Sequence, residues 1–241
     1  MHLLLISSLI IINNLIIFPK ISLALNKEGA KFCNFPTPTS TEVRTKIIFV
    51  TNNTDFGYKR IIFNGERGTC NPKVERWEQA MIIGDGLTVS NLIMGESPIG
   101  TASDIIVEGG GALDGFQKIF VQSGPGKTII KNFCSVNNAI GIVSCGNCST
   151  QYTRDITIEN SKFKGPMVEI ISGNRQYNDK LTLRNIQIYG NNNPATKIKK
   201  VCTENLGSNA ADPWKYSYEP GKAGTSDKFC KYPASAVKII N

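Results

Sequence analysis

Apolar and polar residues alternate through a series of short stretches: 87–94 (LTVSNLIM), 127–133 (KTIIKNF), 155–160 (DITIEN) and 180–188 (KLTLRNIQI). Alternation of period 2 places one set of side chains inside and the next outside, which argues for strands over helices. Each stretch carries an asparagine at the same phase. Asn91, Asn132, Asn160 and Asn185 follow one another at steps of 41, 28 and 25 residues, the first step long enough for more than one unit. Repetition at this scale reads as a solenoid of strands. The expected fold is all-β, a single-domain right-handed parallel β-helix in which each strand pairs with its equivalent in the next turn. A recurrent asparagine at a bend satisfies backbone groups that the bend leaves unpaired, so the asparagine series is expected to be structural.

The ends of the chain differ from this pattern. Residues 1–24 have the apolar core and small-residue exit of a signal peptide, with cleavage expected near Ala24. Asn13 and Asn14 interrupt the apolar run and weaken the competing reading as a membrane anchor. The β-helix domain is then 25–241, secreted and extracellular, with no membrane association after signal removal and a monomer expected. Phe35-Pro36-Thr37-Pro38 reads as an extended entry, and the Glu108-Gly109-Gly110-Gly111 run as a corner where backbones approach closely. Beyond Asn191 the periodicity fades, and the segment from Lys197 reads as an irregular, disulfide-tied tail covering the last coil.

Seven cysteines in an exported chain point to disulfides, with an odd one left over and connectivity open. Cys145-Gly-Asn-Cys148 has no second pair with which to build a four-ligand zinc site, so a disulfide role is the expectation. Asn52-Asn53-Thr54 and Asn147-Cys148-Ser149 are candidate glycosylation sequons. The formal charge is +8, or about +7 once Lys20 leaves with the signal peptide, which suits an acidic polymer. Nucleic acid is not expected, because no basic motif with interleaved aromatics is present.

His2 is the only histidine, so a mature protein lacks Ser-His-Asp and Cys-His chemistry and histidine-ligated metal centres. Lysine and arginine remain. They suit β-elimination from a uronic acid chain, in which a cation on the carboxylate acidifies the neighbouring proton and a base with a depressed pKa removes it.

Several segments carry a resemblance: 35–39 (FPTPT), 56–60 (FGYKR), 109–112 (GGGA), 118–120 (KIF), 130–133 (IKNF), 144–148 (SCGNC) with Gln151-Tyr152, and Val201-Cys202. Together they resemble the pectate lyases of polysaccharide lyase family 3, found in bacteria, fungi and plant-parasitic nematodes. The resemblance implies calcium-dependent cleavage of polygalacturonate (pectin) in plant cell walls. It also implies a lysine matched by Lys118, and a Lys-x-x-Arg before the Ser-Cys-Gly-Asn-Cys signature. Ile140 and Val143 stand at those two positions. An acidic calcium-binding segment that the family carries between Gly95 and Glu108 is missing, by about one coil.

The candidate site residues are therefore Lys118 and Arg154 for catalysis, with Arg175 and Lys127 for substrate binding. Each has a structural alternative: a solvated strand residue for Lys118, pairing with Asp155 or Glu159 for Arg154, a surface loop for Arg175 and plain solvation for Lys127. Two functions follow, a secreted pectate lyase with an impaired site, or a non-catalytic pectin-binding or host-interacting protein on the lyase scaffold.

Overall fold

A computed structural model describes residues 26–63, 81–95, 104–115, 118–206, 214–224 and 229–240. The expected signal peptide, the altered segment at 96–103 and Cys70 lie outside the described residues. The chain winds as a right-handed parallel β-helix with three faces.

Face one stacks Thr54–Asp55, Thr88–Ser90, Ile105–Glu108, Gly126–Lys131, the start of Arg154–Lys164, the start of Lys180–Tyr189 and Cys230–Lys231. Face two runs from Thr41–Arg44 through Arg60–Phe63, Ile93–Gly95, Gly111–Leu113 and Cys134–Val136 to the later halves of the same two long strands and Val237–Ile240. Face three comprises Lys118–Gln122, Ile140–Ser144, Met167–Asn174 and Ile198–Asn205, all parallel, closed by the antiparallel strand Trp214–Tyr218. Ile48–Val50 and Met81–Ile83 form a separate parallel pair.

In-register stacking turns the sequence alternation into continuous rows. Val89, Val107, Ile130, Ile158 and Leu183 lie in one inward row of face one, and all five are buried. The outward row beside it, Glu108, Lys131, Glu159 and Arg184, alternates in sign, with ion pairs of 3.1 Å between Lys131 and Glu108 and 3.5 Å between Arg184 and Glu159.

The bend between faces one and two is left-handed from the coil of Asn91 to that of Asn185. Asn91, Asn132, Asn160 and Asn185 have φ of 53°, 56°, 49° and 50°, a region that asparagine tolerates better than most residues because its short amide bonds locally. Asn185 Nδ2 donates to Asn160 Oδ1 at 2.9 Å. The long first step does hold an extra coil. Register places Gly109, φ 67°, between Asn91 and Asn132. Next to it Gly110 has no room for a side chain, since a Cβ there would stand 2.2 Å from the Leu92 carbonyl oxygen.

Two features depart from the sequence reading. A helix, Lys27–Cys33, precedes the entry segment, with Asn26 accepting from Gly29 N and Asn34 ending it in a left-handed cap. It packs on the outside of face two, fixed by a disulfide from Cys33 to Cys134. The tail is also more regular than expected: Ile198–Asn205 completes a coil, and Cys230–Lys231 and Val237–Ile240 add parallel strands beside Lys180–Tyr189. Cys202–Cys230 ties this end together, and Cys145–Cys148 closes the short loop after Ile140–Ser144.

Candidate active site

Face three carries Lys118 and positions 140 and 143, which the family resemblance singles out. Its strands bend where Ile119, Ile170 and Val201 turn inward together with Phe120, Ile142, Ile171 and Cys202, all of them in the core. The residues on either side of that bend stack in two further rows. One row is Lys118, Ile140, Glu169 and Lys200, and the next is Val121, Val143, Ser172 and Thr203, half-buried in the earlier coils and buried at Glu169, Ser172 and Thr203. Positions 140 and 143 therefore stand beside Lys118 on one surface. Two cations with Lys118 would form a cluster there; Ile140 and Val143 supply none.

Glu169 is the residue that sequence reading missed. A single acid in an apolar strand was its only signal, and its meaning emerges from register. It is 2% exposed and its Oε2 has no hydrogen-bond partner among the described residues. Burial pushes its pKa above the ordinary carboxylate value, against the opposing pull of the Thr203 and Ser172 hydroxyls and of Lys200 and Lys118.

Arg154 requires a correction. It is fully buried at the corner between faces three and one. Its Nε donates to Gly124 O at 3.1 Å, Nη2 to Ser123 O at 2.6 Å, and Nη1 to Cys145 O at 3.0 Å and Ser144 Oγ at 3.2 Å. Its backbone N–H donates to Asp179 Oδ1 at 3.0 Å, while Asp179 Oδ2 accepts from Asn174 N at 2.7 Å. Burial lowers the guanidinium pKa, with Asp179 the main opposing influence. The side chain joins the corners of two successive coils and presents nothing to a substrate; the expected partners Asp155 and Glu159 are not among its acceptors.

Arg175 is likewise committed. Its Nη1 donates to Glu204 Oε2 at 2.9 Å, Tyr218 OH donates to Glu204 Oε1 at 3.1 Å, and the guanidinium lies 5.0 Å from the ring centres of both Tyr216 and Phe229. It fastens the tail to the last coil. Lys127 is exposed on face one, in a row with Asp155 and Lys180, around the corner from Lys118. Of the four candidates, only Lys118 stands in a row with position 140.

The acids of the described residues do not make a calcium site. Among the described residues, no group of three or more His, Cys, Asp or Glu side chains is placed to hold a metal. Asp104 Oδ1 accepts from Lys127 N at 2.5 Å, Glu108 is ion-paired, and burial raises the Glu169 pKa, whereas calcium requires several ionised oxygens converging on one point. Among the described residues, no helix is long and apolar enough to cross a membrane.

Residues 98–210 match the sequence model of the pectate lyase family. The chain is similar to that family over 113 of its 241 residues. Relatives include a probable pectate lyase D from Emericella nidulans, 27% identical over 65% of this chain and 53% of that protein, and a probable pectate lyase E from Aspergillus fumigatus, 32% identical over 52% of this chain and 44% of that protein. The chain thus spans about half the length of the curated relatives it matches. Among solved structures, pectate lyase PelI from Erwinia chrysanthemi superposes with a TM-score of 0.57 at 18% identity, covering 86% of this chain and 73% of that one. The chain therefore has the fold of these solved lyases, with aliphatic side chains in its candidate site.

Proposed function

We propose that the protein is a secreted, monomeric member of the pectate lyase family that binds polygalacturonate across face three and has lost efficient β-elimination. One observation carries this reading: Ile140 and Val143 lie beside Lys118 on face three. Neither side chain can accept a proton. The loss of a positioned base alone removes a factor of about 10² or more, and the loss of charge stabilisation a comparable factor. Lys118 is retained to meet a uronate carboxylate, Lys127 offers a second cation around the corner, and the excess of positive charge attracts a polyanion.

The second reading, a calcium-dependent lyase, is favoured by the position of Lys118. Unsaturated product is followed by ultraviolet absorbance in polygalacturonate with and without calcium, alongside a calcium-free binding assay. Saturable binding that Lys118→Ala weakens, without product, is the expected result. Calcium-dependent turnover would establish the second reading, and absence of both binding and turnover would overturn the two together.

A further inference from the structure

A groove of about 630 Å³ runs along the left-handed bend between faces one and two, on the far side of the helix from Lys118. Its floor is the asparagine series with Gly109, and one wall is the turn at Cys33–Phe35, stapled in place by Cys33–Cys134. Tyr58 stands at the N-terminal end, its backbone N–H donating to Asn91 O at 2.7 Å. Four coil steps separate Asn91 from Asn185, about 20 Å at the spacing of paired strands.

The ladder does not consume its own hydrogen-bonding capacity. Asn91 Nδ2 donates to Asp55 Oδ1 at 3.0 Å, leaving its Oδ1 leaning over Gly109, where a Cβ would come within 2.9 Å of it. Gly109 supplies no amide to bridge onward. The exposed Asn132 side chain consequently has no hydrogen bond among the described residues, and Asn160 uses only its oxygen. The two charged residues lining the groove are both engaged: Glu108 with Lys131, and Lys162 Nζ with the Phe32 carbonyl at 2.6 Å.

We infer that this groove is a second binding site, for a neutral oligosaccharide. An amide both donates and accepts, as a sugar hydroxyl does, and amides repeated at each coil match a chain of sugars laid along the axis. The Tyr58 ring offers an apolar surface to a sugar face. A uronate chain fits less well here, since a carboxylate cannot donate to the unused amide oxygens and Lys162, the cation that lines the groove, is held by the Phe32 carbonyl.

The test uses the full secreted chain labelled with ¹⁵N, titrated with β-1,4-galactotetraose, xylotetraose and tetragalacturonate while the side-chain amides are followed by NMR. Asn132→Gly and Tyr58→Asn remove the amide and the ring but keep residues that tolerate the positive φ at these positions (56° and 60°), and circular dichroism confirms their folding. A neutral tetrasaccharide should shift the Asn132, Asn160 and Asn185 amides saturably, and each variant should weaken it about three- to ten-fold, as loss of one contact implies. Polygalacturonate binding through Lys118 should be unchanged, which separates this site from the proposed function. Absence of shifts with both neutral tetrasaccharides overturns the inference, as does a preference of these amides for tetragalacturonate.

Discussion

At the scale of single residues, burial decides which charges are available for chemistry. Arg154 illustrates this most directly, because its guanidinium meets the carbonyls of Ser123, Gly124 and Cys145 in a site closed to solvent. Arg154→Ala leaves those oxygens unpaired and should cost about 3 kcal/mol or more. Arg154→Lys should recover little, since one ammonium cannot satisfy acceptors on two corners. Denaturant midpoints check both, and an Arg154→Ala protein of normal stability would return this residue to the substrate. Sequence alone could not separate these roles, because an arginine after a family signature looks the same whether it faces a ligand or a carbonyl. Lys118, Ile140 and Val143 could be singled out from the sequence because the family resemblance points to their positions, 140 and 143 by counting back from Ser144. Glu169 became legible only when register put it in their row.

Glu169 also makes stability depend on pH. Its folded pKa is raised, so the folded state holds its proton more tightly than the unfolded state. The associated stability is fully present below the ordinary value of 4.5 and is lost as pH rises through the higher folded value. Glu169→Gln keeps the neutral shape and removes the titration. The variant should be more stable than the parent at neutral pH and should flatten the decline above pH 4.5, as read from urea midpoints across a pH series. A decline of unchanged slope would assign it to other groups.

At the scale of elements, the bend asparagines were readable because they recur in phase with the strands. The helix Lys27–Cys33 was not, being too short to show a helical period and held by contacts from outside its own sequence: Asn26 Nδ2 donates to Asp114 Oδ1 at 3.1 Å, and Cys33 bonds Cys134. That disulfide spans 101 residues of sequence, against 28 for Cys202–Cys230 and 3 for Cys145–Cys148. Loop-closure entropy therefore ranks them in that order, from about 5 kcal/mol for the longest to about 2 for the shortest. Paired Cys→Ser variants, compared by denaturant midpoint, should follow the ranking. A larger loss at Cys145–Cys148 than at Cys33–Cys134 would show that the short loop acts mainly by holding the acceptors of Arg154 in place.

At the scale of the whole molecule, the β-helix has two surfaces of different character on opposite sides of one core. Face three offers Lys118 on a chain with a net charge of +8, whereas along the asparagine bend Glu108 is ion-paired with Lys131 and Lys162 is bonded to the Phe32 carbonyl. Their responses to salt should differ accordingly. Raising ionic strength from 0.1 M to 1 M shortens the screening length from about 10 Å to about 3 Å, so polygalacturonate, attracted by the summed field, should lose about ten-fold or more in affinity. A neutral tetrasaccharide held by amides should change little. Calorimetric titration at the two ionic strengths tests both ligands on the same protein. Equal salt sensitivity would place them on one surface, and an insensitive polygalacturonate would mean that hydrogen bonds, rather than the positive charge of the chain, recognise it.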